Sequence, residues 1–141
     1  MQTIELEPME HPGMQAAHEV EIELYLRLAA QVEARNRGEL ADADAAIDTT
    51  LVTLLSQMEA HFGEEDRMML ALRFPPYPAH AAEHRQVLDE MRNSIARWQV
   101  DRDLDALASH VLGDHLVWMK RHVATMDYLT ARFINMASAA R

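Results

Sequence analysis

Four residues between positions 61 and 84 are spaced for chemistry: His61 with Glu65, and His80 with His84. Side chains four apart share one face of a helix. Imidazole and carboxylate at this spacing are metal-type ligands. Together they suit Fe, Zn, Cu or Mn rather than Ca or Mg. Between the pairs, Phe74-Pro75-Pro76-Tyr77-Pro78 must stop one helix and start another, because proline disfavours helix in the residue before it and is tolerated in a first turn. The stretch reads as two helices meeting at a turn, each aiming two ligands at the other.

The elements that position these residues follow from periodicity. Pro8, Pro12 and Gly13 punctuate residues 1–13, which read as an extended arm. A first helix starts near Met14, with His18, Ile22, Tyr25, Ala29 and Val32 as its stripe and Gly38 as its cap. A second runs from about Asp42 to Leu72 on Ile47, Leu51, Leu54, Met58, His61, Glu65, Met68 and Leu72. The third carries Tyr77, His80, His84, Val87, Met91, Ile95 and Trp98. Gln99 to Asp103 is a turn, with Asp101 or Asp103 as the next cap. The fourth stripe is Leu104, Leu107, Val111, His115, Trp118, His122, Met126, Leu129 and Phe133. Four long helices with short connections predict an all-α, up-down-up-down antiparallel four-helix bundle.

Every helix thus sets an ionisable residue into an apolar row: His18; His61 and Glu65; His80 and His84; His122. One such residue is usually a satisfied polar group in a core. Five imidazoles and a carboxylate converging in a dry core make little sense without a cation.

Composition narrows the classes. A chain of 141 residues fits one domain, spanning 1–141. Acidic residues outnumber basic ones 23 to 13, for a net charge of −10. That balance disfavours nucleic acid and anionic membrane surfaces. With no cysteine, disulfides and thiolate chemistry are excluded. No signal peptide and no membrane-length apolar run is visible, so a cytoplasmic protein is expected.

The order of motifs resembles a hemerythrin, more closely the single-domain bacterial kind. The matching features are a lone His18, HFxxEE at His61, Phe62, Glu64 and Glu65, HxxxH at His80 and His84, and WxxxHxxxxD at Trp118, His122 and Asp127. The resemblance covers about residues 14–130. It implies a non-haem di-iron centre. His80, His84 and His122 would hold one iron, and His18 and His61 the other. Glu65 and Asp127 would bridge them with an oxo or hydroxo group. It also implies reversible O2 binding as hydroperoxide at the two-histidine iron, for oxygen carriage, storage or delivery to an oxygen-consuming enzyme. Trp118 and Met119 would border the O2 pocket, Met119 standing where the family usually has leucine. An imidazole-rich shell favours reversible binding over onward oxidation, so an enzyme is not expected.

Asp127 enters by resemblance alone, since a spacing of five from His122 places it about 140° around an ideal helix. Gln15 stands where the family usually has Asp, three residues before the first-helix His. Tyr25 and Leu26 depart from the family pattern too. Glu21, one turn after His18, reads either as a flanking solvated carboxylate or as a group beside the two-histidine iron. His115 reads as a polar core residue two turns from His122, His11 and His110 as solvated, and Trp98 and Trp118 as core. HxxEH at 80–84, with Glu83 as base, also spells an inverted zinc-protease pattern, but that leaves His61, Glu65 and His122 unexplained. A ferritin-like di-iron site needs ExxH, and no histidine here has a glutamate three residues earlier. Within the di-iron reading the alternatives are an enzyme or sensor acting on peroxide, NO or O2, and an iron-storage bundle.

Overall fold

A computed structural model describes residues 4–139. Helix α1 spans Pro12–Asn36, α2 Ala43–Ala71 and α3 Tyr77–Asp101. The fourth helix, α4, runs over 104–139 as Leu104–Ser109, a wide π turn His110–Asp114, His115–His122, a second π turn Val123–Asp127, and Tyr128–Ala139. The architecture is the expected all-helical four-helix bundle. Among the described residues there is no strand, and no helix is long and apolar enough to cross a membrane.

The helix ends follow local rules. Pro12 opens α1, and His11 Nδ1 accepts the Met14 N–H at 3.1 Å. Gly38, at φ 66°, closes α1, with its N–H bonded to Arg35 O and that of Glu39 to Ala34 O. The same pair of bonds ends α2 around Arg73, a non-glycine residue at φ 54°. Helix α3 outlasts its expected end, so Gln99 and Val100 are helical and the turn is confined to Arg102 and Asp103. Asp103 is the cap, accepting the Ala106 N–H at 3.0 Å.

The α3 stripe is buried from His80 to Trp98, with Tyr77 half-buried. Other stripes depart from expectation. On α1, Glu21, Leu24 and Leu28 are buried, whereas Ile22 and Ala29 lie at the edge. On α2, Met69 is buried where Met68 and Leu72 are half-exposed. A strict seven-residue repeat drifts by ~20° per heptad on a straight helix, so its far end turns out of the core. On α4 the stripe fails after His122: Leu129 is exposed, and Asp127, Thr130, Ala131 and Ile134 take its place. The second π turn inserts one residue and rotates the following face inward by ~100°.

Two apolar clusters form the core. The larger includes Tyr25, Leu28, Ile47, Leu51, Leu54, Met58, Phe62, Met91 and Trp98. The smaller comprises Met9, Met14, Met119, Val123, Ala131 and Ile134. The histidines and acids form a polar layer between them. Residues 1–3 of the expected arm lie outside the described residues; the rest is tied down, with Met9 N–H reaching Gln15 Oε1 at 2.8 Å and Asn135 donating to Glu10 O. Gln15 thus anchors the arm from the position where the resembled family carries Asp.

Candidate metal centre

All four helices send side chains into the polar layer. His18 comes from α1, His61 and Glu65 from α2, His80 and His84 from α3, and His122 and Asp127 from α4. Each is at most 5% exposed. They resolve into two groups whose inward atoms lie within 4.8 Å of one another. One is His80, His84, His122, Glu65 and Asp127, and the other His18, His61, Glu65 and Asp127. Glu65 and Asp127 belong to both.

Asp127 is the junction of the layer. Its Oδ2 lies 3.0 Å from His18 Nε2, and its Oδ1 lies 2.9 Å from His80 Nε2 and 3.0 Å from His122 Nε2. The π turn Val123–Asp127 brings it there, so the spacing of five is absorbed by the backbone. Glu65 faces His61, and its Oε1 lies 3.2 Å from His84 Nε2. Yet neither Glu65 oxygen, nor His61 Nε2, nor His84 Nε2, has an aligned hydrogen-bond partner. Buried polar atoms without partners are costly. Donors that converge and still leave these atoms unpartnered fit cations, and an imidazole–carboxylate donor set suits Fe, Zn, Cu or Mn.

Electrostatics agree. Burial pushes the His61 imidazole down, but Glu65 and Glu21 outweigh it and raise it to about 11. Burial is likewise overcome at His80, which Asp127 and Glu65 raise to about 9. His122 is raised by Asp127 against its burial. Burial and Asp127 would lift Glu65, but His61 and His80 hold it below the usual carboxylate range. Asp127 is held well below that range by bonds from His122, His18 and His80, against its burial. Without metal, protonated His61, His80 and His122 are favoured beside ionised Glu65 and Asp127.

A second ring of groups orients the imidazoles by their outer nitrogens. Glu21 Oε2 accepts from His61 Nδ1 at 2.5 Å, Asp66 Oδ1 from His84 Nδ1 at 2.9 Å, and Glu83 Oε1 from His122 Nδ1 at 3.0 Å. His80 Nδ1 pairs with Thr130 Oγ1 at 2.9 Å. Such partners fix ring orientation and raise ligand basicity. Glu21 is therefore neither solvated nor in the ligand groups; it holds His61. Asp66 and Thr130 were missed in the sequence, and Glu83 serves His122 rather than acting as a protease base. An acid next to a ligand (Asp66 after Glu65, Glu83 before His84) was the available signal, since it faces the neighbouring helix.

The remaining candidates lie around this frame. Trp118 is half-buried and stacks on His122, with ring centroids 4.5 Å apart and planes at 16°. Met119 is buried in the smaller cluster with Met14 and Val123. Phe62 stacks on His84 at 4.1 Å. A cavity of about 150 Å³ opens beside His61 and Glu65, lined also by Met14, Ala17 and Met68. Neither Trp118 nor Met119 lines it. His115 is buried against Tyr25, its Nε2 2.6 Å from the hydroxyl, outside both ligand groups. His11 and His110, expected in solvent, are half-buried: His11 caps α1 and His110 bonds Ser94.

Comparison with known proteins agrees with this geometry. The family model for the Hemerythrin HHE cation binding domain matches residues 13–134. A bacteriohemerythrin of Aquifex aeolicus (strain VF5) is 29% identical over 119 residues, covering 84% of this chain and 86% of that protein. A bacteriohemerythrin of Ralstonia nicotianae (strain ATCC BAA-1114 / GMI1000) is 32% identical over 96 residues, 67% of this chain and 69% of that one. No solved structure matches significantly. With its motifs, its bundle and its paired histidine–carboxylate groups all in register, the chain belongs to the hemerythrin family.

Proposed function

We propose that the chain binds dioxygen reversibly at a di-iron centre, as an oxygen carrier, store or delivery protein rather than an enzyme. The observation that carries this is an asymmetry. The group with His18 and His61 has one imidazole fewer than its neighbour, and the cavity opens on that side. A small apolar gas fits a space walled by Met14, Ala17 and Met68, with His11 and Glu64 also lining it. Two ferrous ions held there would supply two electrons and an open coordination position for oxygen.

The side chains do the rest. Glu65 and Asp127, shared by both groups, would hold the metals from α2 and α4. Glu21 keeps His61 turned towards the open side, while Asp66, Glu83 and Thr130 lock the three-histidine group. The apolar clusters above and below exclude bulk water, which favours release of oxygen unchanged over further chemistry.

The test is iron analysis with optical spectra of the reduced protein before and after air, then after oxygen removal. Two irons per chain and an oxygen-dependent spectrum that reverses are expected. Fewer than two irons, or no reversal, overturns the reading. Steady turnover of peroxide or nitric oxide would make the protein an enzyme instead.

A further inference from the structure

Between α3 and the first half of α4 lies a groove of about 390 Å³, larger than the cavity beside His61. Three features that metal binding does not explain meet there. The π turn His110–Asp114 contributes to its wall, and such turns interrupt helices frequently at functional sites. His115 lines it at 2% exposure, with Nε2 taken by Tyr25 and Nδ1 without a partner. Trp118 lines it too, stacked with His115 at 5.9 Å and 21° and with His122 at 4.5 Å and 16°. Trp118 therefore touches both the groove and a residue of the three-histidine group.

The charge of the groove selects what enters it. Glu90, Asp101, Asp103 and Asp114 line it against one arginine, Arg97. Anions are repelled, in keeping with the chain's net charge of −10. A planar organic cation satisfies the acids and reaches the edge of the indole, whose two faces are covered by His115 and His122. Its π system then stands one ring away from His122.

We propose that this groove docks a planar, cationic one-electron donor, and that Trp118 passes its electron through His122 to the metal centre. The proposal rests on the di-iron reading above. A carrier whose irons have become ferric binds no oxygen until they are reduced. Each donor molecule loses one electron and each ferric ion gains one, so two donors restore one centre. No bond in the protein forms or breaks. Electron transfer falls steeply with separation, and the indole fills the gap between groove and ligand with stacked π density.

Methyl viologen is the probe, its dication for binding and its radical cation as donor. In metal-free protein, titration with the dication followed by NMR should shift the Trp118 indole N–H and the amides of residues 110–118. The doubly substituted Glu90→Gln, Asp114→Asn protein should show weaker shifts at equal probe. In ferric protein, stopped-flow reduction by the radical cation should slow at least tenfold in Trp118→Leu. The double variant should be slower only at low donor, with its oxygen spectrum unchanged. Shifts scattered over the surface, or Trp118→Leu reduced at the wild-type rate, overturn the proposal. If Trp118→Leu does not fold, wild-type reduction rates at low donor in the double variant overturn it. Failure to load two irons ends the di-iron reading and the electron path with it, whereas the metal-free titration still decides the docking site.

Discussion

Replacing His115 with leucine is expected to flatten the acid limb of the stability curve. Burial, with His110 adding, pushes the His115 imidazole down to about 3. In the unfolded chain it titrates near ~6.5. The folded value is the lower one, so between these limits the unfolded chain binds the extra proton and acid favours unfolding. The stability contribution is whole above about pH 6.5 and shrinks as pH falls towards 3. At about 1.36 kcal/mol per pH unit, a drop to about pH 4.5 removes about 2.7 kcal/mol. The leucine variant lacks that loss. It carries instead a pH-independent cost of roughly 1–3 kcal/mol, because the buried Tyr25 hydroxyl loses its partner. Urea unfolding of both metal-free proteins near neutral pH and at about pH 4.5 gives the double difference. The contributions of His61, His80 and His122 are common to both proteins and cancel. The variant should be the weaker protein at neutral pH and equal or stronger in acid. A double difference under about 1 kcal/mol would refute the reasoning.

Metal loading near neutral pH should release at least two protons per chain, because His61 and His80 are raised to about 11 and about 9 and are protonated beforehand. A dye-monitored metal titration reads this, and no proton release would contradict that protonation. The stability that these two protonated imidazoles give the metal-free protein is present below about pH 6.5 and lost as pH rises through about 9 and then about 11. Glu21→Gln should loosen His61 and lower metal affinity roughly ten- to a hundredfold in chelator competition; unchanged affinity would make Glu21 a bystander. Arg73→Gly should raise stability by roughly 1 kcal/mol, since glycine adopts the left-handed cap of α2 without a Cβ penalty. A lower melting temperature would show that the Arg73 side chain outweighs its strain.

The legible part of the site was the part written in helical steps. His61 with Glu65, and His80 with His84, are four apart on regular helices, so periodicity alone aimed them inward. The α3 row held from His80 to Trp98 because nothing interrupts that helix. Asp127 was invisible to the same reasoning, since its place depends on a π turn that no residue in Val123-Ala124-Thr125-Met126 announces. The same turn carried Thr130 inward and Leu129 outward, against the expected row. The outer ring escaped notice for another reason. Asp66 and Glu83 act across helix boundaries, and a bond between α2 and α3, or α3 and α4, has no period to read. Glu21 stands one turn from His18 in the sequence, but its partner, His61, lies 40 residues away on α2.

His18 and Asp127 meet across 109 positions of a chain that has no cysteine. A cation gripped by both would close a loop over about three quarters of the 141-residue chain. In chain-entropy terms, closing a loop of about 100 residues is worth about 4.7 kcal/mol against the unfolded ensemble. The loaded centre would then serve as a reversible cross-link between the first and last helices, and a chelator would act on this protein as a reductant acts on a disulfide-stapled one.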